Sequence, residues 1–375
     1  MLKIESRRYI IEKSCELSQI VAYGAGKMLQ RLGEEFGGTE VWNKINYVVD
    51  NDEKKQGTEI TVMGKVLKVI SLNDLKNKNL SNYSIIITCA DIDDILNCFS
   101  TDCELSSIDY YCLSLIPEGN RDERALQKEI PLDIRLSSKP LIPKVIHYCW
   151  FGGNPLPDRY KLWMESWHKF CPDYQIIEWN ESNYDVSKNE YMYQAYQKKK
   201  WGYVSDYARI DIIYRYGGIY LDTDVELVQN LDDLLYQKGF AGFQNDDEVN
   251  TGLGFGAVKG LSVFKETLDL YSEMRFINKD GSINTTACPE LQTPILEKHG
   301  LKKNGEYQIV SDLTVYPEKV LCGKSIMTKK IVLKPYTRAI HHFDGSWASK
   351  EDRDRNMWVE TMQWGKEPPE RVFVQ

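Results

Sequence analysis

The first third of the chain alternates short apolar runs with a stretch of helical periodicity. Gln19–Tyr23 is a short, mostly apolar run, which is typical of a buried strand. Further strand-like runs lie at residues 45–52 and 84–88. Between the first two runs, apolar side chains recur at helical spacing, namely Met28, Leu29, Leu32 and Phe36. The pattern predicts a parallel α/β layer with a Rossmann-like βαβ unit.

A glycine turn, Gly24-Ala25-Gly26, follows the first strand, where dinucleotide-binding folds carry their phosphate-binding loop. Asp50 ends the second strand, in the position of a ribose-binding acid. The fingerprint is incomplete, because Leu29 stands where a third glycine is expected. We therefore predict a Rossmann-like accessory domain over residues 1–116. Nucleotide binding by this domain is the alternative.

Prolines and charged residues dominate residues 117–140, which we interpret as a linker. Beyond the linker the strand–helix–strand pattern resumes. Residues 144–153 resemble a buried strand with an aromatic, glycine-rich end, residues 159–170 a helix, and Gln175–Trp179 a strand. The pattern predicts a second, larger α/β domain over residues 141–375.

One predicted helix of the second domain carries charges among its apolar positions. Ser205 is a good N-cap, and Gly217 or Gly218 ends the helix. Asp206 and Arg209 are three residues apart and therefore share a face. The pair is either a solvated ion pair or two groups that point into a cleft.

The chain then enters an apolar run that ends in Asp222-Thr223-Asp224. Alternate side chains of an extended segment face the same way, so we expect Asp222 and Asp224 on one side with Tyr220 beside them. Two converging carboxylates suit Mg²⁺ or Mn²⁺. A cation held there can neutralise the charge of a departing diphosphate. The alternative is a solvated turn.

The overall charge argues against a nucleic-acid-binding surface, because 55 acidic residues outnumber 47 basic ones. No apolar run is long enough to span a bilayer, and the first residues lack the apolar core of a secretion signal. The nine cysteines include no C-x-x-C pair, as expected for free thiols in a reducing compartment. We expect a cytoplasmic protein without a transmembrane segment, with peripheral association at the inner membrane face as a further option.

The stretch SDYARIDIIYRYGGIYLDTDVEL (residues 205–227) resembles the signature S-D-x-x-R-x-x-x-L-x-x-x-G-G-x-Y-x-D-x-D of sugar transferases with a D-x-D motif. These include glycosyltransferase family 32 with its capsular-polysaccharide members and, more distantly, the glucosylating domains of the large clostridial toxins. Ile213 stands where the signature often has Leu. IPKVIHYCWFGG and HHFDGSW (residues 341–347) resemble the family's first strand and closing motif. Together the three segments cover most of residues 141–350.

The resemblance implies a GT-A fold, a nucleotide-diphosphate sugar donor, a Mn²⁺ or Mg²⁺ ion, and transfer with retention of anomeric configuration. Asp222 would meet the donor ribose and the water shell of the metal, and Asp224 would chelate the metal. Asp206 and Arg209 would hold the donor sugar and its diphosphate. Tyr220 would pack at the donor site.

The other two resembling segments would complete this site. His147 and Trp150, in the first strand and its loop, would bind the donor. Trp347 would close over the donor, while His341 is expected in an ordinary turn. The candidates to complete the metal and phosphate shell are His342, Asp344 and Ser346.

Two further stretches are expected to line the same cleft. Asn250 precedes a glycine-rich strand and would hydrogen-bond sugar hydroxyls, with a turn residue as the alternative. Glu290 and Gln292 are predicted in a loop before a helix. Glu290 would orient the acceptor hydroxyl or support the developing positive charge, with a surface acid as the alternative, and Gln292 would contact the donor.

The predicted function is metal-dependent transfer of a hexose or N-acetylhexosamine to a glycan or lipid-linked glycan, in polysaccharide or glycoconjugate synthesis. A UDP-sugar donor is favoured over a GDP-sugar. One alternative is an NAD-dependent oxidoreductase or epimerase using a Y-x-x-x-K pair, Tyr184 with Lys188 or Tyr196 with Lys200. Another is a phosphotransfer hydrolase, although Glu226 stands where a hydroxyl residue is expected. The third is a non-catalytic sugar-binding protein.

Overall fold

The structure is a computed structural model and describes residues 1–17, 19–345, 350–365 and 369–374. The chain forms two compact units. The first comprises Met1–Arg124 and Asp354–Pro368, and the second Ala125–Arg353 and Pro369–Gln375. Each unit has its own large sheet and its own hydrophobic cores.

The first unit is built on a seven-stranded sheet. Its strands are β1 (Leu2–Lys3), β2 (Gln19–Tyr23), β3 (Ile45–Val49), β4 (Glu59–Val62), β5 (Lys65–Ile70), β6 (Tyr83–Ile87) and β7 (Asp109–Cys112). The spatial order is β1-β7-β6-β2-β3-β5-β4, and every pair is parallel except β4 with β5. From β2 the chain steps to β3 and β5 in one direction, and β6 and β7 continue in the other. This reversal is the order of a doubly wound α/β sheet.

Helices connect these strands on both faces of the sheet. They are α1 (Arg7–Ser14), α2 (Lys27–Phe36), α3 (Glu40–Asn43), α4 (Leu72–Lys76), α5 (Asp93–Thr101) and α6 (Ile116–Leu126). Val21 and Tyr23 of β2 belong to one core, and Ile20 and Ala22 to the other. Burial on both faces explains why β2 is a continuous apolar run.

The glycine turn after β2 uses Asp50 within the protein. Gly24 has a φ of 113°, a conformation that side chains rarely adopt. One carboxylate oxygen of Asp50 accepts hydrogen bonds from the Ala25 backbone N–H at 2.8 Å and from Lys55 Nζ at 3.0 Å. The acid in the ribose-binding position therefore fixes this loop, and nucleotide binding by the first unit stays the untested alternative.

The linker predicted at residues 117–140 differs from the structure, because α6 covers its first part and the first unit ends within that helix. Pro117 lies in the first turn of α6, where a proline costs no helical hydrogen bond. Prolines and charged residues dominate this segment, which explains why its sequence resembles a linker.

The second unit is built on a mixed sheet. Its strands are β8 (Val145–Cys149), β9 (Gln175–Trp179), β10 (Gly218–Tyr220), β11 (Val225–Leu227), β12 (Gly239–Phe243), β13 (Val249–Asn250), β14 (Phe255–Ala257), β15 (Gln308–Val310), β16 (Leu313–Tyr316), β17 (Ile331–Leu333), β18 (Ala339–His341) and β19 (Arg371–Phe373). The main sheet has the order β15-β16-β12-β14-β10-β8-β9, with β13 against β12. β11 pairs with β18 and β17 with β19 as separate ribbons. Parallel strands β9, β8 and β10 carry the predicted site.

Helices pack around this sheet. They are α7 (Asp158–Phe170), α8 (Glu190–Gln197), α9 (Trp201–Tyr216), α10 (Ser262–Glu273), α11 (Cys288–Lys298) and α12 (Glu318–Leu321). The N-cap predicted at Ser205 is wrong, since α9 begins four residues earlier and Ser205 lies inside it. Burial of Tyr203 and Val204 in the core extends the helix by a turn, because tertiary packing contributes more to helix stability than one cap.

The last helix, α13 (Lys350–Trp364), lies mostly in the first unit. Its residues Trp358 and Met362 belong to a core of that unit. The second domain predicted at residues 141–375 therefore differs from the second unit. That unit lacks residues 354–368 and includes the chain again from Pro369, just before β19. Among the described residues, no helix combines the length and the apolar character needed to cross a bilayer.

Candidate active site

Two glycines end α9 and direct the chain into the sheet. Gly217 has a φ of 71° and Gly218 a φ of 102°. A Cβ at Gly218 would lie 2.8 Å from the Val145 carbonyl oxygen and 2.9 Å from His147 Nε2, both in β8. Only a residue without a side chain lets β10 pair with β8 here, and β10 in turn delivers the acidic motif.

The motif Asp222-Thr223-Asp224 lies in a turn between β10 and β11, closed by a 3.0 Å hydrogen bond from the Val225 N–H to the Asp222 carbonyl. The extended conformation predicted for it is therefore wrong. The two side chains nevertheless converge. One ligand atom each of Asp222, Asp224 and His341 lies within 4.8 Å of the others. The motif is both a turn and a cluster of potential metal ligands.

Arg209 joins two of the predicted acids. Its Nη2 donates to Asp206 Oδ1 at 2.6 Å and its Nη1 to Asp222 Oδ2 at 3.3 Å. Only 5% of its side chain is exposed. The solvated ion pair is excluded for Asp206 and Arg209, and the guanidinium forms a buried clamp between the two carboxylates.

Burial makes these carboxylates costly to ionise. It raises the pKa of Asp206 to about 6, against the lowering effect of Arg209. Burial likewise raises the pKa of Asp222, where Arg209 opposes the shift and the neighbouring Asp224 adds to it. Two acids thus contact one guanidinium and a third, Asp224, lies beside Asp222, and this excess negative charge favours a cation.

Tyr220 and the backbone at Gly252 complete the surroundings of Asp222. Tyr220 donates its hydroxyl to Asp222 Oδ1 at 3.0 Å, and its ring lies under the Arg209 guanidinium. A Cβ at Gly252 would lie 2.9 Å from Asp222 Oδ2 and 3.0 Å from Arg209 Nη1. Gly252 was not among the predicted site residues, although the glycine-rich stretch around it was a signal of close backbone approach.

The structure brings His341, not the predicted His342, to the acidic cluster. His341 Nε2 lies 3.4 Å from Asp224 Oδ1. His342 turns away, because consecutive side chains at a strand end point to opposite sides. Its ring stacks on Trp163 at 4.1 Å and its Nε2 lies 3.0 Å from Glu226 Oε2.

Asp344 meets the cluster through its backbone. Its N–H donates to Asp224 Oδ2 at 3.0 Å, while its carboxylate contacts Arg159 and the Tyr160 hydroxyl. The structure thus gives this carboxylate other partners than the metal group. Ser346 and Trp347 lie outside the described residues, and their predicted roles stay predictions.

His147 is engaged inside the fold instead of facing a donor. Its Nε2 lies 3.0 Å from the Gly217 carbonyl oxygen, and its Nδ1 accepts from Trp179 Nε1 at 3.0 Å. Both ring nitrogens are therefore used between β8, β9 and the end of α9. Trp150 lies half-buried after β8 and donates its Nε1 to the Asn154 carbonyl at 2.6 Å.

We expect His147 to make the second unit acid-labile. Burial lowers the pKa of its imidazole from 6.5 to about 4. The neutral ring thus stabilises the fold fully above pH 6.5, and this contribution is lost as the pH falls through 4. The loss is about 3 kcal/mol of unfolding free energy. Thermal unfolding followed by tryptophan fluorescence across this pH range should show it in the unmodified chain and not in His147→Gln.

His168, exposed on α7, provides the matched control for this pH experiment. His168→Gln should keep the acid lability of the unmodified chain. Equal acid lability in His147→Gln and the unmodified chain would show that other groups cause it.

Three residues that were predicted to line the cleft, Asn250, Glu290 and Gln292, differ in their contacts. Asn250 caps the following turn, with its Oδ1 accepting from the Gly252 N–H at 2.6 Å, as the turn alternative predicts. Glu290 lies exposed in the first turn of α11 and accepts from the Ala287 N–H at 3.2 Å. Gln292 is buried in the same helix, so the predicted loop is wrong. Neither of its amide atoms has a hydrogen-bond partner in the described part of the chain.

The first Y-x-x-x-K pair has a structural role. Both the Tyr184 hydroxyl and Lys188 Nζ contact Asp211 Oδ2 on α9. This network ties the segment before α8 to α9, and it leaves the oxidoreductase alternative without support from this pair.

The donor set fits a divalent cation. Two carboxylates and one imidazole, all within 4.8 Å, offer oxygen and nitrogen ligands of the kind that Mn²⁺ and Mg²⁺ accept. Hydrogen bonds orient each acid, since Asp222 accepts from Tyr220 and Asp224 from the Asp344 N–H. Such outer partners are typical of metal sites.

Comparisons with known proteins agree with this reading of the motif. Residues 157–241 match the family model described as a glycosyltransferase sugar-binding region containing a DXD motif. Inositol phosphoceramide mannosyltransferase 3 of Schizosaccharomyces pombe is 33% identical over 128 residues, 33% of this chain and 36% of the relative. Mannosyl phosphorylinositol ceramide synthase SUR1 of Saccharomyces cerevisiae is 30% identical over 144 residues, 36% of this chain and 37% of the relative.

The matched part of the chain thus spans little more than a third of the length of these relatives. Among solved structures, the PaToxG glycosyltransferase is matched over 48% of this chain and 75% of its own, at 20% identity and a TM-score of 0.32, too slight a likeness to support an argument. The predicted resemblance to sugar transferases with a D-x-D motif is confirmed over residues 157–241, whereas the capsular type stays a prediction. Across residues 157–241 the chain is similar to the glycosyltransferase sugar-binding region that contains a DXD motif.

Proposed function

We propose that the chain is a metal-dependent glycosyltransferase that uses a nucleotide-diphosphate sugar. The observation that carries this proposal is the convergence of Asp222, Asp224 and His341 beside the buried Arg209, within a stretch that matches a DXD sugar-binding region. Mn²⁺ or Mg²⁺, when bound, would neutralise charge on the departing diphosphate.

The residues of the chain have distinct roles in this proposal. Asp224 and His341 would hold the cation, and Asp222 would share it while accepting from Tyr220. Arg209, fixed by Asp206, would place positive charge at the donor sugar and diphosphate. The clamp is buried before any donor arrives, so little reorganisation is needed during the reaction.

Retention of configuration would follow if the departing diphosphate oxygen took the proton of the acceptor on the same face of the sugar. The paired carboxylates of a double displacement stand about 5–5.5 Å apart across the reacting bond. Here both close carboxylates are committed to the metal group and the Arg209 clamp. The GT-A fold of the second unit belongs to the same proposal.

Mannose is the first donor sugar to test, because the curated relatives are named as mannosyltransferases and mannosyl synthases. The same names make an inositol-phosphate lipid an acceptor to test beside the glycan acceptors predicted above. The UDP-sugar expectation, the capsular role and a cytoplasmic location are further parts of the proposal that need their own experiments.

Nucleotide-sugar turnover tests the proposal. The purified chain is incubated with UDP-glucose, UDP-galactose, UDP-N-acetylglucosamine or GDP-mannose, with Mn²⁺ or with EDTA, and nucleoside diphosphate is measured. We expect slow release from one donor with Mn²⁺ and none with EDTA. A donor that raises the melting temperature with Mn²⁺ but is never hydrolysed or transferred would favour the sugar-binding alternative. Absence of both binding and release would contradict the proposal.

A further inference from the structure

Glu226 connects the acidic motif to the last strand of the second unit. It lies in β11, two residues after Asp224. Arg371 of β19 donates Nη1 and Nη2 to its two carboxylate oxygens, each at 2.9 Å. This is the bidentate, planar arrangement in which a guanidinium fixes the orientation of a carboxylate.

The oriented carboxylate also holds His342. Its Oε2 lies 3.0 Å from His342 Nε2, and the histidine ring is stacked on Trp163 with an angle of 10° between the planes. The His342 backbone N–H donates to the Asp224 carbonyl at 2.9 Å. The side chain and the backbone of His342 are therefore both fixed.

The fixed position of His342 determines where the next residues lie. Two positions later, the Asp344 N–H donates to Asp224 Oδ2 at 3.0 Å. That bond occupies one oxygen of Asp224 and leaves Oδ1 on the side of His341, 3.4 Å from its Nε2. The rotation of the Asp224 carboxylate thus depends on the segment that begins at His342.

We propose that Arg371 is a positioning residue for the metal group and acts through Glu226 and His342. Arg371 touches none of Asp222, Asp224 and His341 in the described structure. Without it, the carboxylate of Glu226 loses two of the three hydrogen bonds described here, and with them its orientation, so the segment from His342 to Asp344 is held less firmly. The inference rests on the proposed function, because it assigns the group to a divalent cation.

Mn²⁺ binding to the purified full chain, measured by the loss of the free Mn²⁺ electron paramagnetic resonance signal, tests this role directly. Outer partners of metal ligands typically change metal affinity 10–100-fold. We expect Arg371→Gln to raise the Kd for Mn²⁺ about 10-fold. Arg371→Lys should recover part of the loss, because a lysine keeps the charge but not the bidentate geometry.

The matched control is Arg135→Gln. Arg135 belongs to the same unit and also pairs with a carboxylate, Asp133, but this pair is exposed. Its removal changes the net charge equally and should leave the Kd for Mn²⁺ unchanged. If Arg371→Gln fails to fold, Glu226→Gln replaces it, since this change removes the charge that Arg371 binds and should raise the Kd in the same direction.

Steady-state kinetics with the donor identified in the turnover assay provide a second test. The Mn²⁺ concentration for half-maximal turnover should rise about 10-fold in Arg371→Gln. At saturating Mn²⁺, kcat should change by less than about threefold. If the unmodified chain is active and a folded Arg371→Gln variant binds Mn²⁺ with an unchanged Kd, this inference is wrong while the proposed function stands. An unmodified chain that neither binds Mn²⁺ nor turns over a donor would overturn the proposed function and this inference with it.

Discussion

Asp224→Asn is expected to lower metal-dependent donor turnover by roughly a thousandfold. The substitution removes one charged ligand of the cation, whose stabilisation of the departing diphosphate amounts to several kcal/mol, and about 4 kcal/mol corresponds to that factor. The fold should persist, since an asparagine oxygen can still accept from the Asp344 N–H that now meets Asp224 Oδ2. Nucleoside diphosphate release and Mn²⁺ binding are the two measurements, and both should fall together.

Asp312→Asn controls for the change of charge and shape. Asp312 is exposed, pairs with Lys238, and has a φ of 67°, a conformation that asparagine tolerates well. Its variant should retain turnover and Mn²⁺ binding. Retention of both by Asp224→Asn would remove Asp224 from the metal group.

Arg209→Met is expected to lower the free energy of unfolding by about 3–5 kcal/mol, because it leaves Asp206 and Asp222 buried without their shared counter-charge. Adding Asp206→Asn should restore much of this stability, since one buried charge then disappears with its partner. Turnover should stay low in both variants, at least 100-fold below the unmodified chain, as expected when a preorganised charge at the diphosphate is lost. Thermal unfolding and nucleoside diphosphate release separate the two effects.

The conservative variant Arg209→Lys sharpens this test. A lysine keeps the charge but cannot reach both carboxylates through one planar group. We expect it to fold with a smaller loss of stability than Arg209→Met and to remain poorly active. Full activity of the lysine variant would mean that positive charge alone suffices. The contact of one guanidinium with both carboxylates would then have no part in the reaction.

Local patterns predicted several elements of both units. β2 and β9 begin and end where the sequence pattern placed them. β2 is buried on both faces, which explains its apolar pattern. Asp206 and Arg209 were paired from their spacing alone, and the structure pairs them. What spacing could not decide was burial, since it depends on helices α8 and α10 that pack against α9 from elsewhere in the chain.

The choice of histidine depends on long-range pairing. Whether His341 or His342 faces the acids depends on the register of β18 against β11, where His341 lies opposite Val225. A shift of one residue would exchange the two histidines, and this register is not visible in a local window of sequence. Gln292 was predicted in a loop, yet it lies in α11, which accommodates two prolines, one of them in its first turn.

The pair of Glu226 and Arg371 is separated by 145 residues along the chain. During synthesis the ribosome releases Asp222 and Asp224 long before it releases Arg371, and the intervening chain includes α13, most of which belongs to the other unit. Contacts of such high sequence separation form late, because the entropy of closing a long loop opposes them. On our inference, the full affinity of this protein for its cation would therefore depend on a contact that forms late in folding.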